Sequence, residues 1–366
     1  MIREILQKYN LYDYKYKLIH ITGTNGKGSV GKYISTGLFS SGKSVGHFQS
    51  PHILKENERI SYNLKNITDN EFEIYKRKVL DIENKEKVEF TYFEKFFVMA
   101  MLYFKDKNPE YVVMEVGIGA KDDVTNLLNK KRLCVFTKIS IDHKKRLGNT
   151  IEDIAKNKSY LMRDNVDNVS IYQKESVEEI LKQKAKGNID FVEKSNIKIT
   201  KDGFYYKDYY FNKNIPNYKM ENIALSIRAL EKLNISLDNE ILNNILNTNL
   251  IGRFQIVREN PTIIVDGAHN DGAITSLFQN FDKKVYVIFQ SRFDKDIEKS
   301  FNIVKENSKE IVITYIKDVK GHSFDNYKKM NLEDAINYFL DKSTKDDIIL
   351  ITGSLYLVAD ALKILE

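Results

Sequence analysis

Cysteine is almost absent from this chain. Cys134 is the only one in 366 residues, so no intrachain disulfide can form and a reducing compartment is expected. It lies in the apolar run LCVF, where a buried small hydrophobe is the simplest reading. No apolar run approaches the length needed to span a bilayer. The opening MIREILQKYN has no signal-peptide core, so a cytoplasmic location without membrane attachment is expected. Internal repeats and low-complexity tracts are also missing. So is a long block of one charge sign: 57 basic and 51 acidic residues, net +6, interleave in segments such as NKEKVEFTYFEKF. That pattern describes a solvated surface and argues against a nucleic-acid partner. The small positive excess would help to collect an anionic substrate.

What is present is alternation. YKLIHITGT is an apolar run ending at a glycine turn, and GSVGKYISTGLFSSG continues with helical spacing, with Gly42 as a helix stop. KSVGHFQS, YVVMEVGIG and RLCVFTKIS read as further strands. Residues 93 to 104 and MENIALSIRALEKL read as helices. Residues 170 to 212 are less regular, and two or three short strands are expected there. After NLIGRF the alternation restarts, with TIIVDGA, KVYVIFQ, EIVITYI and DIILITGS as buried strands. The expected fold is therefore α/β, with two domains: residues 1–250, a mostly parallel P-loop-type sheet domain, and residues 251–366, a smaller Rossmann-like domain.

Several short stretches carry chemistry. Gly23-Thr24-Asn25-Gly26-Lys27-Gly28-Ser29 stands between a strand and a helix, where backbone N–H groups, a helix N-terminus and a lysine converge on an anion. It fails the strict phosphate-loop pattern, because Gly23 is too close to Gly26-Lys27, and a plain glycine-rich turn would also account for it. Glu115 lies inside VVMEVGIG, where a carboxylate must be paired or metal-bound. Asp142-His143 ends another apolar strand. Thr91-x-x-Glu94 reads as a capping box opening a helix at Tyr92. Asp266-Gly267-Ala268-His269-Asn270 follows a strand of the second domain, where open parallel sheets bind ligands.

Taken together, GTNGKGS, SPHILKENERI, TYFE, EVGIGAKDDVTN, DHKKRLGNTIEDIAKNK, GRF, DGAHN and LITGSLYLVA occur in the order of the folylpolyglutamate synthase and dihydrofolate synthase family, within the Mur ligase superfamily. The chain resembles that family from about residue 18 to its end. The resemblance implies an ATP-dependent acid–amino-acid ligase that phosphorylates the carboxylate of a folate or dihydropteroate, then joins L-glutamate to it. It implies two Mg²⁺ sites and a two-domain clamp on ATP.

Position by position, it implies that Asn25, Gly26, Lys27, Gly28 and Ser29 hold the phosphates, and that Asn222, Arg253, Asp266 and His269 contact ATP. It implies that Ser50, Glu115 and His143 bind metal, and that Lys158 is carbamylated. Thr91, Tyr92, Phe93, Glu94, Asp122, Asp123 and Val124 would contact the substrate, and Lys27, His143 and Lys158 would be the catalytic set. A monomer is expected. The chain departs from the family pattern at Ala120, Lys121, the stretch Lys158 to Leu161, Tyr218-Lys219 and a shortened region between Lys158 and Asn222. A different Mur-type amide ligase and a P-loop ATPase or nucleotide-binding regulator are the rival readings.

Overall fold

The structure, a computed structural model, describes residues 1–293, 297–316 and 320–365. Two compact units divide it. The first comprises residues 1–215 and 219–248; the second comprises 216–218 and 249 onward. Among the described residues, the strands form three sheets.

The first unit's main sheet contains β1 (Lys17–Thr22), β2 (Val45–Phe48), β3 (Ile60–Tyr62), β4 (Lys65–Asn66), β5 (Tyr111–Glu115), β6 (Lys131–Phe136), β7 (Asp167–Ile171) and β8 (Asp190–Val192). Their order is β4-β3-β2-β5-β1-β6-β7-β8, with β2 through β8 parallel and the β3–β4 hairpin antiparallel at one edge. Strands β1, β2, β5 and β6 are buried almost throughout, as strands covered on both faces must be. Because β2, β5, β1 and β6 are neighbours, their carboxyl ends lie side by side. The turns that follow them carry the sequence signals singled out above.

Helix α1 (Ile2–Lys8) precedes β1, and α2 (Lys27–Ser40) follows it. The α2 ladder closes at Ser41, and Gly42 takes the left-handed φ of +79° that the turn requires. Helix α3 (Asp69–Glu86) is masked in the sequence by its charged face. Phe72, Tyr75, Val79 and Ile82 nevertheless make a buried stripe at helical spacing, and Thr68 caps it in a capping box with Glu71. Helix α4 (Tyr92–Lys107) begins where the sequence puts it. The Thr91 side chain accepts from the Glu94 amide, and Glu94 accepts from the Thr91 amide at 2.8 Å. A cluster of Phe48, Phe90, Phe96, Phe97 and Phe104 packs α3 and α4 on the sheet.

The region from 170 to 212 holds more structure than its sequence suggests. Strands β7 and β8 extend the main sheet and are joined by α5, a helix over Glu175–Lys184, while β9 (Ile197–Ile199), β10 (Phe204–Tyr206) and β11 (Tyr209–Phe211) form a separate antiparallel sheet. Each of these last strands is three residues long. Alternation over so few residues is hard to read, yet it is present: Phe204, Tyr206 and Phe211 are buried while Tyr205 and Tyr210 face out. Helix α6 (Asn217–Lys232) follows.

The second unit's sheet runs β12 (Gln255–Arg258), β13 (Thr262–Asp266), β17 (Ile348–Thr352), β14 (Val285–Phe289), β15 (Ser308–Ile313), β16 (Lys328–Lys329). All neighbours are parallel except β12, which is antiparallel at the edge. The four strands read from sequence are its centre. No helix among the described residues is long and apolar enough to cross a membrane.

The Thr68 cap is exposed and shares its hydrogen bonds with Glu71, so it measures the energetics of one helix end. Thr68→Ala removes an acceptor for one α3 amide and is expected to cost about 1 kcal/mol of stability, read as a lower urea midpoint at unchanged slope.

Candidate active site

The loop between β1 and α2 is held from two sides. The amides of Thr24 and Asn25 both donate to the Lys138 carbonyl just past β6, at 2.9 and 3.2 Å. The Thr24 hydroxyl donates to the Ser140 carbonyl and accepts from the Ser140 amide. The Asn25 side-chain amide donates to the Ser140 hydroxyl at 3.1 Å. Two glycines are obligatory here. A Cβ on Gly23 would stand 1.9 Å from the Thr137 hydroxyl oxygen, and one on Gly26 would stand 2.5 Å from the Asn222 side-chain oxygen. Gly26 also caps α2 at a φ of +93° and brings no side-chain acceptor to its first turn. The α2 amides are thus left to an outside acceptor, as an anion site requires.

Charged groups surround this loop. The Lys27 amine donates to the Thr24 carbonyl at 3.3 Å and lies 3.8 Å from one Glu115 oxygen. Glu115 is 2% exposed, and its other oxygen accepts from the Ser50 amide at 3.1 Å. Lys158, 1% exposed, reaches in from a helix over Ile151–Ser159. Its amine donates to the carbonyls of Gly23, at 2.7 Å, and Ile118, at 3.0 Å. Burial, reinforced by the Lys27 charge, holds that amine well below the ordinary lysine range; Asp142, Asp123 and Glu115 oppose the shift.

His143 sits in the left-handed region at a φ of +50° and caps a short helix over Lys144–Leu147. Its Nε2 is 3.9 Å from Asp142. Among the described residues, no three His, Cys, Asp or Glu side chains converge as a ready metal site. Glu115 is paired with the Ser50 amide and with Lys27, and His143 lies beside Asp142.

The substrate candidates fall in two places. At the head of α4, the Thr91 and Glu94 side chains complete the capping box, and Tyr92 is exposed with its hydroxyl donating to Glu56. Arg59 stacks over Phe96 and Tyr92 and donates from Nε to His52 Nδ1 at 2.9 Å. Glu58 fixes the SPH…NERI loop by accepting from the amides of Ile53, Leu54 and Lys55. After β5, Asp122 is exposed and Val124 packs on the core, whereas Asp123 turns inward. It accepts from the Gly117 amide, the Thr125 amide and the Thr125 hydroxyl. Burial raises its pKa, against the pull of those bonds.

Gly117 is a position whose role in spacing the sequence reading missed. A Cβ there would meet the edge of the Phe93 ring at 2.9 Å and an Asp123 oxygen at 3.1 Å, so its absence lets the aromatic edge and the carboxylate approach the same point of the backbone. The signal was the glycine ending VVMEVG, visible as a turn but not as a spacer.

In the second unit, Asp266 ends β13. It accepts from the amides of Phe254 and Ala268 and from the Tyr218 hydroxyl, all within 2.8 Å. His269 Nδ1 is 2.8 Å from the Gly267 carbonyl, and Arg253 lies against Gly267.

A nucleotide-type loop at the strand ends of one α/β unit, followed by a second parallel α/β unit, defines the class. Residues 21–257 match the Mur ligase middle domain and residues 252–355 match the Mur ligase glutamate ligase domain. The chain is 30% identical over 394 residues to the dihydrofolate synthase/folylpolyglutamate synthase of Buchnera aphidicola subsp. Schizaphis graminum, covering 99% of this chain and 91% of that one. Two solved structures share its fold over its full length and 92% of theirs. One is the Escherichia coli protein FolC in complex with DHPP and ADP, with a TM-score of 0.89 at 22% identity. The other is the Yersinia pestis bifunctional folylpolyglutamate synthase/dihydrofolate synthase complexed with AMPPNP and Mn ion, with a TM-score of 0.87 at 23% identity. The chain belongs to the folylpolyglutamate synthase/dihydrofolate synthase family of Mur ligases.

Gly26→Ala places a methyl group against Asn222 in a left-handed backbone. A loss of about 1–2 kcal/mol is expected from the backbone alone, with a further steric part that Gly26→Ala/Asn222→Ala recovers. Urea titrations of Gly26→Ala, Asn222→Ala and the double variant measure both.

Proposed function

We propose that this chain uses ATP to join L-glutamate to the carboxylate of a pterin-bearing acid, dihydropteroate or a folate. The observation that carries the proposal is the ring of buried groups around the Gly23–Ser29 loop: Lys27, Glu115 and Lys158 meeting where four neighbouring strands end.

A carboxylate is a poor electrophile. One of its oxygens attacks the γ-phosphorus of ATP, the bond to ADP breaks, and an acyl phosphate results. The glutamate amine, having lost a proton, attacks the acyl carbon; the amide forms and inorganic phosphate leaves. The chain's part is positioning and charge. The α2 amides and the loop from Asn25 to Ser29 hold the phosphates, and Lys27 offsets charge on the transferred group. Asn222, packed on Gly26, fixes the loop on one side. Arg253, Asp266 and His269 are the second unit's candidates for contact with the nucleotide.

A divalent cation fits the donor set. Glu115 is a buried carboxylate beside Ser50, with His143 and Asp142 contributing from the loop after β6. Magnesium bound through few protein oxygens takes its remaining ligands from phosphates and water. When bound, it would neutralise triphosphate charge. Lys158 fits a role as a carbamate, because carbamylation needs an uncharged amine and burial, with the Lys27 charge beside it, favours the uncharged form. Phe93 and Asp123 are the groups for a flat heterocycle with N–H donors, one by its ring face and one by its carboxylate.

The test is ADP release from purified protein with ATP, Mg²⁺ and glutamate, offered dihydropteroate or tetrahydrofolate in parallel. Release that depends on glutamate and on either acid supports the reading; release needing neither would make the chain a simple ATPase. In the same assay Lys27→Ala is expected to lower kcat roughly 100- to 1000-fold with the fold retained. Lys158→Ala is expected to be nearly inactive, with partial recovery in acetate; intact-mass spectra recorded with and without bicarbonate give an independent readout of the modification.

A further inference from the structure

Asp123 does not stand alone. Behind it, Thr125 and His20 are both fully buried, and His20 comes from the middle of β1. The Thr125 hydroxyl oxygen is 2.6 Å from Asp123 Oδ1 and 2.9 Å from His20 Nε2. A hydroxyl has one proton to give. The Asp123 carboxylate also accepts from the Thr125 and Gly117 amides, so it is an acceptor and the Thr125 proton must point to it. Thr125 then accepts from His20, which fixes the imidazole with its proton on Nε2. His20 Nδ1 is left with no hydrogen-bond partner, consistent with a bare ring nitrogen. The ring stays neutral because burial, with Lys131 and Arg163 nearby, holds its pKa well below the usual histidine value.

We propose that His20 is a positioning residue for substrate recognition: through the Thr125 hydroxyl it locks the Asp123 carboxylate in the orientation that receives the N–H donors of the pterin-bearing acid. The proposal rests on the reading of Asp123 as a substrate contact. It assigns a task to a buried histidine that takes no part in phosphate binding. The direction of each hydrogen bond follows from donor and acceptor inventory alone. Without the His20 donor, the Thr125 hydroxyl is held by one fewer partner, and the shortest of the hydrogen bonds to the Asp123 carboxylate is less firmly aimed.

Four variants test it: Asp123→Asn, His20→Leu, His20→Asn and Thr125→Val, with KM measured separately for the acid, ATP and glutamate. His20→Leu is expected to raise KM for the acid about tenfold, with KM for ATP and kcat changed less than twofold. His20→Asn, which keeps a donor, should recover most of the loss. His20→Leu combined with Thr125→Val should be no worse than Thr125→Val alone, because the two act in series. A normal acid KM in His20→Leu beside a raised one in Asp123→Asn overturns the proposal and spares the substrate reading. A normal acid KM in Asp123→Asn overturns both. Should His20→Leu fail to fold, ¹⁵N spectra of histidine-labelled wild-type protein decide. A neutral Nε2–H ring whose proton signal moves when the acid is added supports the relay, and an Nδ1–H tautomer or an unmoved signal refutes it.

Discussion

The Lys158 amine is the interaction on which the first unit's site depends. It is buried, and it donates to two backbone carbonyls, Gly23 after β1 and Ile118 after β5. An amine in such a place is costly unless its protons are used, and here two carbonyls at the strand ends use them. One side chain therefore ties together the loop between β1 and α2 and the turn that leads to Asp123. Its depressed basicity follows from the same burial that makes it an effective tie. The reactivity proposed for it and its structural work thus share one cause.

The tie works because of topology. Strands β2, β5, β1 and β6 are neighbours, so Ser50, Glu115, Gly23 and Lys138 issue from adjacent strand ends though they are far apart in sequence. The parallel strands β1, β5 and β6 are followed by connections that cross back over the sheet, whereas β2 turns into its antiparallel neighbour β3 through the loop that carries Ser50. Two close contacts then set tolerances. Gly23 against Thr137 and Gly26 against Asn222 leave no room for a methyl group, and Asn25 is pinned to Ser140. The loop's shape is imposed from outside it, by Thr137, Asn222 and Ser140, and does not depend on the strict phosphate-loop spacing.

Local signals were legible in the sequence and long-range pairings were not. The Thr91–Glu94 capping box, the Gly42 stop and the four central strands of the second unit follow from spacing and residue type. Helix α3 hid behind its charged face, and β9 to β11 are too short for alternation to register. Within the site, the loop and the lone buried Glu115 announced themselves because glycines and an apolar-flanked carboxylate are unusual. His20 and Gly117 did not. A histidine in an apolar run is ordinarily a satisfied core residue, and only the fold reveals that its partner is the threonine behind Asp123. Lys158 reads as one more surface lysine of a polar helix until the helix is seen to point it inward.

The departures from the family pattern are local and mutually adjusted. Lys121 carries its amine over the ring of Tyr160, itself a departure, while Asn126 donates to the carbonyls of both Ala120 and Tyr160. Ala120 is fully buried against Leu147 and Ile154, so a residue without a side-chain polar group suits that wall. A lysine held over an aromatic face keeps a positive charge at the rim but gives up the flat, forked donor geometry of an arginine. In the second unit, Tyr218 donates to Asp266 and occupies one carboxylate lone pair; backbone amides occupy two more. Asp266 is thereby fixed in orientation and left with room for one further donor. These departures lie apart from the contacts of Lys27, Glu115 and Lys158, whose partners are Thr24, Ser50, Gly23 and Ile118, so the buried amine that joins two strand ends works with none of the departing side chains.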